Sequence, residues 1–371
     1  MKTLRIAHVV ADGRPGGGST NVLALIDHFR AEAGAEVTLV SQPASYLQEE
    51  AARRGVDFVG VDFFGFPGDP RVAGRLARAL GARRFDLTHV HGLRAAHYTV
   101  QARLRVCLGA LVYTVRGLHQ QNFAAPLRWL ANQADRRVMR SVDARVFVSH
   151  ADLASARNFA LVAPGCEGEV IYNGIDLGKM ARLERDEHDI DVLFLGRLDH
   201  QKNPVAAARV LSALAADGCR CVLAGDGPLA ETTLRVLATT PGGNRVERLG
   251  AQPHNDALAL VSRARLLLMP SRWEGLPGLP MEAMALGVPT VAAWHPGTAE
   301  VIDDGATGVL LPQGDEHGMA QALRRLLDDA DAHVALVARG AARVKRLFDQ
   351  QGCFARYRAL YERLLSAGGS R

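Results

Sequence analysis

Short runs of Val, Ile and Leu recur along the whole chain, with helix-patterned segments between them. Runs of this near-continuous kind belong to parallel strands buried on both faces; half-solvated strands would alternate. The first half offers Leu4–Val10, Glu36–Ser41, Asp57–Val61, Leu87–His91, Leu111–Val115, Ala144–Val148 and Val170–Tyr172. Helical patterns such as Val22–Ala33 and Pro70–Leu80 lie between them. The pattern then restarts with Asp191–Leu195, Arg220–Ala224, Val246–Leu249, Arg265–Met269, Pro289–Ala293 and Gly308–Leu311, separated by Val205–Ala216 and Glu282–Leu286 among others. Two successive βα arrays imply two doubly wound α/β domains, and 371 residues suit two cores better than one. The expected division is 1–180, 185–350 and a closing segment 351–371, with the polar stretch Met180–Asp189 as linker. Ligands of such sheets sit beyond the carboxyl ends of the strands, so two arrays facing each other would put a cleft between the domains.

Composition narrows the class. No apolar run reaches the ~18 residues a membrane-spanning helix needs. The longest apolar run, Val106 to Val115, reads as a buried strand. Met1–Arg5 leads straight into a strand, without the ordered parts of a secretory signal, so a cytoplasmic setting is expected. The five cysteines are scattered, which argues against a disulfide framework. Cys219 and Cys221 are read as buried free thiols. Residues 1–170 carry 21 Lys and Arg against 15 Asp and Glu, whereas the remainder is close to neutral. A basic first half suits an anionic acceptor or peripheral contact with an anionic membrane face; no nucleic-acid partner is expected. No D-x-D follows a strand, so no metal site is expected.

Four segments carry candidate chemistry. Pro270–Ala285 is a Gly/Pro-rich loop running from a strand into a helix, and a helix N-terminus offers free N–H groups and partial positive charge to a phosphate. Glu274 in that loop and Glu282 on the helix can accept hydrogen bonds from sugar hydroxyls. Asp12–Asn21 is glycine-rich and follows the first strand; it lacks the Gly-Lys-Ser/Thr ending of a Walker A loop. Thr88–Gly92 ends a buried strand; His91 is read as facing the ligand and His89 as a satisfied core histidine pointing the other way, with His97 and His119 as weaker candidates. Phe123–Arg140 mixes Phe123, Leu127, Trp129 and Leu130 with four arginines, a pattern that fits either a packed helix or a lipid-touching surface.

Together these segments resemble the retaining glycosyltransferases of family 4, which have the GT-B fold of two facing Rossmann-like domains and an interdomain cleft. Glu274 and Glu282 match that family's E-x7-E signature. Val192–Asn203 resembles its donor-phosphate motif, followed in order by Leu223–Pro228, Leu249–Ala251 and Gly305–Gly308, while Ile171–Asp176 resembles the segment closing the first domain. The resemblance implies that Arg197 and Lys202 stabilise the departing nucleoside diphosphate; removing either would cost ~2–4 kcal/mol of transition-state stabilisation. It implies that Glu282 holds the ribose, that Glu274 touches the transferred sugar, and that the N–H groups of Gly278 and Leu279 face the diphosphate. Gly17 and Gly18 would face the donor phosphates and the acceptor, and Asp226 and Gly250 would line the nucleotide site; His91, read from its place at the strand's carboxyl end, is a further catalytic candidate. The last helix is expected to pack back on the first domain. One departure stands out: where the family often has T-x-H-G, this chain reads Thr114-Val115-Arg116-Gly117, so Arg116 occupies the histidine's place. Arginine cannot serve as a base near neutral pH but can hold a phosphate or carboxylate, and Arg116, Arg14 and His119 become the acceptor-side candidates.

The resemblance therefore implies transfer of a sugar from a nucleotide-diphosphate sugar, UDP by family frequency, to a hydroxyl of a glycan or glycolipid. It implies no metal cofactor and a setting in lipopolysaccharide or surface polysaccharide assembly. An NDP-sugar epimerase of the same fold and a non-catalytic sugar-nucleotide-binding partner are the alternatives.

Overall fold

The structure, a computed structural model, describes residues 3–64, 69–117, 125–165, 168–183 and 187–368. It divides into two compact units, Met1–Asn173 with Gly352–Arg371, and Gly174–Gln351. The first unit holds a parallel sheet of β1 (Arg5–Val10), β2 (Glu36–Ser41), β3 (Asp57–Gly60), β4 (Leu87–His91), β5 (Ala110–Val115), β6 (Ala144–Phe147) and β7 (Glu169–Val170), in the order β3-β2-β1-β4-β5-β6-β7. The second holds β8 (Ile190–Leu195), β9 (Cys221–Ala224), β10 (Glu247–Leu249), β11 (Ala264–Met269), β12 (Thr290–Ala293) and β13 (Gly308–Leu311), ordered β10-β9-β8-β11-β12-β13. Both are doubly wound Rossmann-like sheets, as the two βα arrays in the sequence require. In each, strand order reverses beside the first strand, between β1 and β4 and between β8 and β11, and that reversal opens the binding crevice of such folds.

Side-chain alternation sorts the first sheet into two faces. Ala7, Val9, Val90, Leu111 and Tyr113 join one apolar cluster; Ile6, Val10, Leu87 and Val112 join the other. The second cluster is closed by Val22, Leu25, Ile26 and Phe29 of helix Gly17–Ala33 and by Phe354, Tyr357 and Tyr361 of the final helix, Gln350–Gly368. Tyr361 stacks on Phe29 with ring centroids 4.7 Å apart, and Arg358 pairs with Glu32 at 2.6 Å. Each buried aromatic contributes about 1.5–3 kcal/mol, so the chain's last helix is part of the first unit's core.

Two features depart from the sequence reading. Val106–Leu108 is outside the strand, which begins only at Ala110. Gly109 precedes it at φ +67°, pressed on the carbonyl of Asp86 where a Cβ would fall 2.3 Å away, and this turn is what sets the strand's start. The division between units falls at Asn173, ahead of the polar stretch Met180–Asp189: Met180 is buried in helix Leu177–Ala181, and Asp189 pairs with Arg220 and Arg263.

Candidate functional site

In the second unit the loops after β8 and β11, the two strands at the reversal, are sewn together. Lys202 Nζ meets Glu274 Oε1 at 2.7 Å, with the glutamate side chain only 6% exposed. Gln201 reinforces the seam: its carbonyl accepts from the Arg272 N–H at 2.8 Å, and its side-chain amide donates to the Trp273 carbonyl at 3.1 Å. Asp199 organises the first loop, accepting the Lys202 backbone N–H at 3.0 Å and the Arg197 Nε–H at 2.5 Å. Arg197 itself stays largely exposed. Behind Glu274, His295 Nδ1 accepts the N–H groups of Glu274 and Gly297, so its neutral ring carries the proton on Nε2; burial lowers its pKa. Gly297 has no room for a side chain, since a Cβ would lie 1.8 Å from the Gly275 carbonyl.

Helix Gly278–Ala285 starts from Pro277, which supplies no side-chain cap, and the space beside Gly278 is open. The first-turn N–H groups therefore need an outside acceptor. Glu282 projects from this helix toward His254, 3.7 Å away, with its side chain 19% exposed. Burial pushes its pKa up to about 7, against the opposing pull of Lys179, which bonds Asn255 at 2.8 Å. A carboxyl poised between charge states can both donate to and accept from vicinal hydroxyls. Asp226 and Gly250 lie exposed just after β9 and β10; the Asp226 side chain caps the N–H of Gly227 at 2.7 Å.

In the first unit the inner face turns polar toward the carboxyl ends of the strands. Below lie Ile6, Leu87 and Val112; above them come His8, His89, His91, Thr114 and Arg116. The strand register sets His8 beside His89 and Val10 beside His91. His8 Nδ1 and His91 Nε2 are 3.0 Å apart, and His89 is held between Tyr361 Oη at 2.5 Å and Thr114 Oγ1 at 2.6 Å. The opposite-facing reading of His89 is thus wrong: residues two apart in a strand share a face, and the His89 and His91 rings lie 4.0 Å apart. His91 is itself buried, 4% exposed, and its Nδ1 lies 3.3 Å from an Arg116 guanidinium nitrogen.

The three ring-nitrogen sets of His8, His89 and His91 lie within 4.8 Å of one another, a cluster with the ligand count for a cation that was not visible in the sequence. Arg116 sets its chemistry. Burial and the nearby cationic charge keep all three imidazoles neutral, His8 down to about 3. A guanidinium touching one ring opposes a second cation there.

The glycine loop opens helix Gly17–Ala33, whose N-cap Gly16 offers no side chain. Arg14 is tied to Asp12 at 2.7 Å at the surface, and Ser19 closes the loop onto the Arg14 carbonyl at 2.7 Å. Arg116 lies under Gly18, where a Cβ would approach its Cδ and Nη1 to 3.9 Å. His119 lies outside the described residues. In helix Ala125–Ser141, Val138 and Met139 are buried, whereas Trp129 and Leu130 are exposed. Of the C-x-C pair, Cys221 is buried, with its thiol pKa pushed up by burial, but Cys219 is only half-buried.

The sequence reading missed Asp199, Gln201 and His295, which hold the second-unit loops, as well as His8. A polar residue directly after a β-strand motif was the available signal for Asp199. For His8, the signal was a histidine inside an otherwise apolar run.

Comparison with known proteins supplies the context. A family model described as "Glycosyltransferase Family 4" matches residues 15–179, and one described as "Glycosyl transferases group 1" matches residues 179–343. An alpha-D-kanosaminyltransferase of Streptomyces kanamyceticus is 29% identical over 276 residues, 69% of this chain and 71% of that enzyme. The amylovoran biosynthesis glycosyltransferase AmsK of Erwinia amylovora is 29% identical over 219 residues, covering 55% of this chain and 53% of that protein. Among solved structures, HepE of Anabaena in complex with UDP superimposes with a TM-score of 0.78 at 17% identity, over 97% of this chain and all of that one.

Proposed function

The chain belongs to glycosyltransferase family 4, with the GT-B fold, and from that premise we propose that it transfers a sugar, with retention, from a nucleotide-diphosphate sugar to a hydroxyl of a glycan or glycolipid. The observation that carries the reading is the Lys202–Glu274 pair at the strand reversal of the second unit, beside the uncapped helix at Gly278. A diphosphate accepting the N–H groups of Gly278 and Leu279 would place its negative charge where Lys202 and Arg197 can stabilise it as the glycosidic bond breaks. Glu274 would then touch the transferred sugar and Glu282 the ribose, with Asp226 and Gly250 along the nucleotide. The loop with Gly17 and Gly18 serves the sugar donor, His91 serves the reaction centre, and Arg14, Arg116 and His119 act on the acceptor side. Transfer on one face lets the departing phosphate oxygen take the acceptor's proton, so positioning and fixed charge, rather than a protein base, lower the barrier.

UDP is the favoured nucleotide, since HepE, the Anabaena neighbour, holds UDP in its structure. The setting is surface polysaccharide or lipopolysaccharide assembly, as the sequence resemblance implies, and a relative named for amylovoran biosynthesis is in keeping with it. A cytoplasmic site of action, with the basic first half and exposed Trp129 and Leu130 touching an anionic membrane face, completes the reading. Among the described residues no helix is long and apolar enough to cross a membrane.

The test is thermal stability against UDP, GDP, ADP and CMP, with and without EDTA, since a ligand that binds only the folded state raises the melting temperature. UDP alone should stabilise the protein, EDTA should leave that shift unchanged, and Glu282→Ala should remove it. Absence of any nucleotide response would overturn the second-unit site. Nucleotide binding without turnover of any UDP-sugar would favour a non-catalytic sugar-nucleotide-binding protein.

A further inference from the structure

Arg116 is a cation placed among groups that cannot neutralise it. Its guanidinium meets Asn21 Oδ1 at 3.2 Å, Asn173 Oδ1 at 3.3 Å and His91 Nδ1 at 3.3 Å, all neutral acceptors. No carboxylate pairs with it among the described residues, and its Nε is sealed from solvent with no acceptor at all. Among the described residues the titratable groups that face it are His8, His89, His91 and Tyr357, none of them anionic. An uncompensated charge in such a place is costly, and proteins pair or hydrogen-bond nearly all of them.

The histidine chain fixes this arrangement instead of relieving it. Arginine only donates, so His91 Nδ1 accepts; the neutral ring then carries its proton on Nε2 and donates to His8 Nδ1. His8 is left with an N–H at Nε2, fully buried and without a partner. The network therefore presents donors in excess and holds Arg116 by neutral contacts, leaving its charge unspent. Directly above, the first turn of the 17-residue helix Gly17–Ala33 has no side-chain cap, and Gly18 sits over the guanidinium without a Cβ between them. Two independent sources of positive potential, a half-buried guanidinium with its Nε sealed and a helix N-terminus, converge on one spot.

We propose that this spot in the first unit takes an oxyanion carried by the acceptor, a carboxylate or phosphate, with Arg116 as its counter-charge. The proposal rests on the transferase reading and narrows it: the acceptor is an acidic glycan or a phosphorylated one. Asn21, Asn173 and the His91–His8 chain are positioning residues that hold the guanidinium fork toward the ligand.

The experiment is calorimetric titration of the full chain at constant ionic strength with four probes: D-glucuronate, inorganic phosphate, glucose and UDP. Glucuronate or phosphate should bind saturably, at least tenfold tighter than glucose. Arg116→Gln should weaken that anion at least tenfold and leave UDP within twofold. If Arg116→Gln does not fold, Arg116→Lys decides, since it keeps the charge and loses the fork; anion binding at least threefold weaker with UDP unchanged supports the site. Anion binding no tighter than glucose, or unchanged in the variant, overturns the proposal while UDP binding preserves the transferase reading. Loss of UDP and anion together in the folded variant also overturns it, because the oxyanion would then be the sugar donor's. Failure of UDP to bind the wild type is a separate failure, that of the second-unit site.

Discussion

The two units share one sheet plan and place their cations in opposite electrostatic states. At the reversal of the second sheet, Lys202 is already paired with a nearly buried carboxylate, Glu274. Just past β5 of the first, Arg116 meets two amide oxygens and His91, with the uncharged His8 and His89 behind it. On the functions proposed above, a diphosphate competes with Glu274 for Lys202, whereas an anion reaching Arg116 meets a cation held by neutral groups. The sheet plan is shared, and the difference lies in the residues it carries: Lys202 and Glu274 on loops of the second unit, Arg116 just past β5 with His8 and His91 on strands of the first.

The largest expected effect tests the paired side. Lys202→Ala should reduce turnover of a UDP-sugar by about 10²–10³-fold, the size of losing one preorganised charge at a developing oxyanion. Equal loss in Arg197→Ala and Lys202→Ala would show that pairing with Glu274 confers no special role, since Arg197 is exposed and held only by Asp199.

Next comes a pH effect confined to the second unit. The folded pKa of Glu282 is raised to about 7. Between its unfolded value, about 4.3, and 7 the folded state holds more protons than the unfolded one. Stability should therefore be greatest at the acidic end of that window and decline as pH rises through it, by about 1–3 kcal/mol after allowance for its partial exposure. Glu282→Gln should flatten that decline in denaturant titrations from pH 4.5 to 7.5; an unchanged slope would assign the decline to other groups.

The smallest effect sharpens the unpaired side. Arg116→Met replaces a half-buried charge that has no carboxylate partner among the described residues by an apolar chain of similar length, and should raise the unfolding free energy by about 1 kcal/mol in the absence of added anions. Phosphate should narrow the gap between wild type and variant. A clear loss of stability in Arg116→Met would mean the guanidinium's three neutral contacts outweigh its desolvation, and the contrast between the units would disappear.

The fold was legible because it depends on local pattern. Near-continuous Val/Ile/Leu runs report burial on both faces, and their alternation with helical segments leaves little but a doubly wound parallel sheet. Strand limits were met within a residue or two at β2, β4 and β13 because turn-forming residues bound them. The second-unit residues were legible as a motif, yet nothing in the sequence states that Lys202 and Glu274, 72 positions apart, share a hydrogen bond.

What the sequence alone determined was the class of fold and the residue types at the carboxyl ends of the strands, since hydrophobic periodicity and loop composition are properties of neighbours along the chain. Tertiary structure decided how those residues meet. The register of β1 against β4 brought His8 beside His89, the return of the final helix supplied Tyr361 to that histidine, and the position of helix Gly17–Ala33 set Arg116 under Gly18. Charge state at such places depends on burial and on partners distant in sequence, so only the folded chain reveals that Lys202 has a carboxylate partner while Arg116, among the described residues, has none.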